Sequence, residues 1–285
     1  MTMKSTAIDI GGHRIAASRW SGSGAGSGSG SGTLGERTIV LLHAGVCDRR
    51  SWYRTAGQLT DLGPVIAYDR RGFGESAVSP DPYRDLDDLW AVLDQTESQP
   101  PVWLVGSSMG GLLALDAALT SPERVAGLVL LAPAISGAPD DDDEVLDPAS
   151  EALFGQLGAA RQAGDLEQRL QVHARIWLDG PAATEPRVTG PARDLALAMN
   201  AVILGNDVDD EAAAAGVDAW SRLEQITVPT TVAWGDLDVP ELIKQWEELV
   251  ARLPRARRQV LSGTAHLPYL ERPDLVAAVI RAALG

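Results

Sequence analysis

With 285 residues, 45% of them hydrophobic and 22% charged, the chain reads as an ordinary globular protein, long enough for one domain with a substantial insertion. Its 24 basic and 39 acidic residues leave a net charge of −15, which repels nucleic acid and anionic membrane surfaces and excludes a nucleic-acid role. A single cysteine, Cys47, cannot form an internal disulfide, the first residues lack the apolar stretch of a signal peptide, and no run reaches membrane-spanning length, so a cytoplasmic protein is expected.

Ala7 to Trp20, broken by Gly11-Gly12, alternates apolar and polar positions as a β-hairpin does. His13 beside the turn reads as a solvated side chain. Ser21 to Gly32 is nearly pure Gly/Ser, which cannot bury apolar surface, and residues 21–36 are expected to form a flexible loop. Thr38 to Leu42 is a continuous apolar run of the buried parallel-strand kind, ending in His43-Ala44-Gly45-Val46. Ala44 and Gly45 let the backbone turn sharply there, so that the N–H of Val46 can face a site at the strand end. His43 reads as a hydrogen-bonding partner of its own loop, Cys47 as a small residue filling space beside a pocket.

Ser51 to Leu62 resembles a helix, Val65 to Tyr68 the next buried strand. Asp69 to Ser76 then supplies Asp and Arg side chains able to brace a tight two-glycine loop bordering the pocket. Tyr83 to Glu97 reads as a helix with Leu86, Leu89, Trp90 and Leu93 on one face.

Val102 to Val105 feeds Gly106-Ser107-Ser108-Met109-Gly110, and an Ala/Leu-rich helical run leaves it. In this strand, turn and helix context only Ser108 has glycines at both −2 and +2. Those glycines let strand and helix approach while the turn lifts the hydroxyl clear of the sheet. The helix N-terminus and the Met109 N–H then face any negative charge that develops beside Ser108. A serine hydroxyl is a weak nucleophile, so the rest of the chain must supply a histidine base and a carboxylate to orient it.

Val125 to Leu131 is a further strand, and the βαβα alternation from Thr38 onward predicts a mainly parallel sheet covered by helices on both faces. From Ile135 to Asp218 the alternation stops. The acidic run Asp140 to Glu144 lacks the spaced ligands of a calcium loop and reads as a solvated connector. Helical stretches around it carry Phe154, Leu157, Ile176, Trp177 and Ile203, whose apolar surface needs a partner. A helical cap at 135–218 over a core of 1–134 and 219–285 would supply one and wall a pocket. His173 within this segment reads as a packed residue.

Thr230 to Trp234 resumes the pattern and leads to Gly235-Asp236-Leu237-Asp238. Asp238, deeper in the loop, can turn back toward the site, whereas Asp236 is placed to tie the turn. After the short strand Arg258 to Leu261 comes Gly263-Thr264-Ala265-His266, a histidine on a glycine-containing loop at a strand end. The candidate pocket wall is His43, Cys47, Trp177 and Leu267.

Ser108, Asp238 and His266, each on a loop after a predicted strand and in that chain order, together with His43-Ala44-Gly45 and Asp69 to Ser76, resemble the α/β-hydrolase superfamily. The resemblance implies an eight-stranded, mostly parallel sheet whose first two strands are the initial hairpin, and a cap inserted after the sixth. It further implies a serine hydrolase acting on a small molecule with no metal or organic cofactor. Ser108 stands where epoxide hydrolases and haloalkane dehalogenases carry an aspartate, and the cap segment has no tyrosine to activate an epoxide. The Val46 loop differs from the HGGG type, and His266-Leu267 from the His-Trp pair of carbon–carbon bond hydrolases. Enol-lactone lactonases and small-ester carboxylesterases are the nearest in pattern.

The expected chemistry is attack of Ser108 on an ester or lactone carbonyl, with His266 as base, Asp238 orienting it, and the N–H groups of Val46 and Met109 holding the oxyanion. Two alternatives stay open: the same triad used for carbon–carbon bond hydrolysis or cofactor-free perhydrolysis, and a non-catalytic small-molecule binder on the same fold. Acyl and alcohol specificity and oligomeric state are not legible.

Overall fold

The computed structural model describes residues 2–22, 37–96, 98, 100–139, 146–183, 186–206 and 216–285. The Gly/Ser loop from residue 23 onward and the acidic run Asp140 to Glu144 lie outside these residues. β1 (Thr2–Ile10) and β2 (His13–Ser21) form the expected hairpin, with Ile10 opposite His13, so Ser21 belongs to a strand rather than to the loop.

β3 (Ile39–Leu42) has buried residues throughout because both its faces are covered. The predicted helix at Ser51 to Leu62 is mostly not one. A 3₁₀ turn at Arg49–Trp52, capped by the Asp48 carboxylate, passes into a single-turn α1 (Tyr53–Ala56). Gly57 interrupts the apolar pattern, and the remainder is turns. β4 (Val65–Tyr68) follows. The next helix, α2 (Asp85–Gln95), is two residues shorter at each end than its pattern suggested, with three aspartates in the first turn facing the positive end of the helix dipole.

β5 (Val102–Ser107), α3 (Met109–Thr120) and β6 (Val125–Leu131) match their predicted positions. Then come α4 (Pro148–Ala163), α5 (Leu166–Ala174) continuing into a π-helical turn at Arg175–Asp179, and α6 (Pro191–Asn206). β7 (Thr230–Gly235), α7 (Pro240–Arg252), β8 (Ala256–Leu261), the short α8 (Pro268–Glu271) and α9 (Pro273–Leu284) complete the chain.

The eight strands form one sheet in the order β1-β2-β4-β3-β5-β6-β7-β8. β1, β2 and β4 pair antiparallel and every later pair is parallel. Residues alternate between faces: Val40, Leu42, Leu104, Leu128 and Val232 pack with α2, α3 and α7, while Ile39, Leu41, Val105, Val129 and Ala233 pack with α1 and α9. Parallel strands that begin at one edge of a sheet all end at the other, and the loops after β3, β5, β6, β7 and β8 therefore gather at a single edge. Among the described residues no helix is long and apolar enough to cross a membrane.

Candidate active site

The turn after β5 is held by its glycines. A Cβ on Gly106 would run into the Gly110 carbonyl, and one on Gly110 into the carbonyl oxygen of Leu42 at the end of β3. This close approach fixes the start of α3 against two strands and forces Ser108 to φ 50°, ψ −117°, a conformation an L residue holds only when its surroundings impose it. Its N–H donates to Leu131 (3.0 Å), and its carbonyl accepts from Gly111 (2.7 Å) and Ala134 (3.0 Å). The half-buried side chain stands at the strand edge.

His266 and Asp238 are both buried and directly paired: His266 Nδ1 donates to Asp238 Oδ2 at 2.9 Å. The other oxygen of Asp238 accepts the Val239 N–H at 2.8 Å. This arrangement places the imidazole proton on Nδ1 and leaves Nε2 as the basic nitrogen. Asp236 is spent elsewhere, accepting from Ser262 Oγ and Gly263 N–H, both at 2.6 Å. Of the two carboxylates after β7, the deeper one meets the histidine.

A chain of contacts connects the serine turn to this pair. Ala134, bonded to the Ser108 carbonyl, follows Pro133, whose own carbonyl accepts from Trp246 Nε1 at 2.8 Å. The Trp246 ring lies 6.1 Å from that of His266, and Trp177 covers His266 on a second side at 4.6 Å. Both rings limit water around the imidazole. Val46 sits in the turn after β3, the strand neighbouring β5, and among the described residues neither its N–H nor that of Met109 has a backbone acceptor.

Trp177 and Leu267 line a narrow recess together with Val46, His173 and Asn200. His43 and Cys47, expected in the pocket wall, are instead packed into the interior. His43 Nδ1 donates to Ala44 O (2.9 Å) and its Nε2 accepts the Arg70 N–H (3.0 Å), so the ring staples two strand-end loops. Burial and the nearby Arg70 hold its pKa well below the usual histidine range. Cys47 is wholly buried and its thiol is pushed up to about 12 by desolvation, which removes it as a nucleophile. The Asp69 to Ser76 loop is braced as anticipated: Asp69 accepts from Arg49 and from the Glu75 N–H, and Arg70 and Arg71 pair with Asp85 and Asp88.

Sequence reasoning missed one group. Glu271 Oε1 accepts the N–H of Ala265, next to His266, at 2.8 Å, and its Oε2 pairs with Arg187 at 2.6 Å. Arg187 also donates to Leu178 and Asp179 carbonyls, so the segment between α5 and α6 is bolted to the histidine loop. Burial raises the Glu271 carboxyl. Its spacing of five from His266 was the sole available signal, and Arg187 offered none.

A family model described as alpha/beta hydrolase family matches residues 39–279. The chain belongs to that family. Its relatives include the pimeloyl-[acyl-carrier protein] methyl ester esterase of Neisseria meningitidis serogroup C, 30% identical over 248 residues, with 86% of this chain and 92% of the relative covered. A provisionally named 2-succinyl-6-hydroxy-2,4-cyclohexadiene-1-carboxylate synthase of Bacillus subtilis is 26% identical over 85% of this chain and 88% of its own. Among solved structures, a thermophilic esterase from Thermogutta terrifontis aligns with a TM-score of 0.68 at 25% identity, covering 99% of this chain and 98% of that one. This α/β-hydrolase has the fold that the order of its motifs implied.

Proposed function

We propose that the protein is a serine hydrolase of small-molecule esters or lactones, with Ser108 as nucleophile, His266 as general base and acid, and Asp238 as the group that orients and stabilises the imidazolium. The Val46 and Met109 N–H groups serve as the oxyanion hole, and residues 135–218 as a cap over the core of 1–134 and 219–285. The observation that carries the reading is the 2.9 Å pairing of His266 Nδ1 with Asp238 at the strand edge that also bears the strained Ser108 turn.

His266 Nε2 takes the Ser108 proton as the oxygen attacks the carbonyl, and the tetrahedral oxyanion forms between two N–H groups from neighbouring strands. Collapse expels the alcohol, protonated by His266. Water deprotonated by the same nitrogen then attacks the acyl-serine, releasing the acid and restoring Ser108. The esterase names of the relatives at 29–30% identity favour ester cleavage. The synthase name borne by another relative supports a second reading, the same residues serving a different reaction at a carbonyl-bearing substrate.

The test is steady-state turnover of short p-nitrophenyl esters and of a simple lactone by the wild type and by Ser108→Ala, with products identified by mass. Release of the matching acid by the wild type and its loss in the variant are expected. An undiminished rate in Ser108→Ala overturns the assignment. Turnover of a diketone or perhydrolysis substrate in preference to every ester selects the second reading.

A further inference from the structure

The inner recess beside Trp177 and a cleft of about 430 Å³ have Val46, His173 and Asn200 in common in their walls. The outer end of that cleft carries Arg161 of α4 and Arg169 of α5, and no carboxylate is among its lining residues. In a chain of net charge −15, this cleft is lined by two guanidinium groups and, among the described residues, by no carboxylate. Two polar atoms are also left unsatisfied there: Arg169 Nε and Asn200 Oδ1 are buried with no hydrogen-bond partner among the described residues. Orphaned buried donors and acceptors cost stability, and a bound ligand that pairs with them would recover that cost.

The geometry along α5 gives the cleft a direction. Arg169, His173 and Trp177 recur at intervals of four, so they share one side of the helix and its π-helical continuation. At ~1.5 Å per residue, Arg169 lies about 12 Å along the axis from Trp177, whose ring covers His266. Between them, His173 Nδ1 accepts from Asn200 Nδ2 at 2.8 Å, which leaves its Nε2–H as a neutral donor. Burial, and to a smaller extent Arg169, lower the His173 pKa.

We infer that this cleft selects esters whose acyl chain ends in an anionic oxygen group, a carboxylate or a phosphate, held by Arg161 and Arg169 while the carbonyl lies at Ser108. The inference rests on the hydrolase reading. The guanidinium fork suits either anion through paired N–H donors. The neutral stretch past His173, Asn200 and the recess leucines accepts the connecting methylenes.

The experiment compares esters of equal chain length that differ at the far end: mono-p-nitrophenyl adipate, p-nitrophenyl ω-phosphonooxyhexanoate and p-nitrophenyl hexanoate. For the wild type, kcat/KM for at least one anionic ester exceeds that for the neutral one by about tenfold or more, and which one exceeds it names the anion. The preference shrinks as ionic strength rises. In Arg169→Gln and in the exposed Arg161→Gln the anionic-to-neutral ratio falls toward one, and Arg169→Glu reverses it. A wild-type ratio of one or below, or a ratio untouched in both glutamine variants, overturns the inference. Calorimetric binding of monomethyl adipate against methyl hexanoate to Ser108→Ala separates the two readings. Arginine-dependent binding with no turnover of any ester by the wild type leaves the anion site standing and removes the hydrolase. Turnover of the neutral ester without arginine-dependent binding does the reverse.

Discussion

The loops at the carboxyl edge of the sheet and the helices α4 to α6 satisfy their polar groups differently. At the edge, Asp238, Asp236, Glu271 and His43 each have partners at 2.6–3.0 Å supplied by neighbouring loops. In α4 to α6 and the π-helical turn, Leu153, Val172 and Ile176 form a small cluster with Val239; Leu178, Ala196 and Met199 join the core beneath, and Arg169 and Asn200 keep unpaired buried atoms. The edge is preorganised before any substrate arrives, as electrostatic stabilisation of a transition state needs. The helices hold polar capacity in reserve. On the proposed function, reaction chemistry belongs to the first region and choice of substrate to the second.

The largest effects should come from breaking the edge. Ser108→Ala and His266→Ala are expected to lower kcat for ester hydrolysis by about 10⁴- to 10⁶-fold with the fold intact by circular dichroism. A loss below tenfold in either would place the chemistry elsewhere. The two carboxylates after β7 sharpen the comparison within one loop. Asp238→Asn should cost about 10³- to 10⁴-fold in kcat because the wrong imidazole tautomer is then favoured, while Asp236→Asn should stay within about tenfold, since Asp236 ties only Ser262 and Gly263. Equal losses would erase the distinction.

Across the boundary between the regions, Arg187→Ala leaves the buried Glu271 carboxylate without its cation, and urea unfolding should report a loss of about 3 kcal/mol. Adding Glu271→Gln should recover part of it, because the uncompensated charge is gone. Recovery of nothing would mean that the bolt acts through packing alone.

The smallest effect lies in the elbow helix. Asp116 of α3 is buried, accepts from Ser136 Oγ at 2.6 Å, and its carboxyl is pushed up by desolvation from 3.8 to about 6. The folded state therefore holds this proton more tightly than the unfolded chain does. The stability it brings is complete below about pH 3.8 and is lost as pH rises through about 6. Asp116→Asn should accordingly raise stability by about 1–2 kcal/mol at pH 8 and by nothing near pH 3.5, as read by denaturant titration at both values. A gain independent of pH would contradict the cause.

The difference between the regions also decided what was legible in the sequence. The strands announced themselves as apolar runs, and the glycines at 106 and 110 marked a backbone approach that only a missing Cβ allows, so Ser108 could be placed from its neighbours alone. His266 and Asp238 followed from their positions just past strand ends. Ser51 to Leu62 carries a helical apolar spacing that hides the effect of Gly57, the one glycine that divides it. His43 and Cys47 were assigned to the pocket by sequence proximity, yet the turn at Ala44 to Cys47 sends both side chains inward. The contacts of Arg187, Arg169 and Asn200 depend on how helices far apart in sequence dock, and no local pattern encodes that.

The most direct test of the account is labelling of the folded protein with a fluorophosphonate, followed by intact mass and peptide mapping. The account predicts a single adduct on Ser108, abolished in His266→Ala and strongly slowed in Asp238→Asn. An adduct on another residue, or none on Ser108 in folded protein, would contradict it.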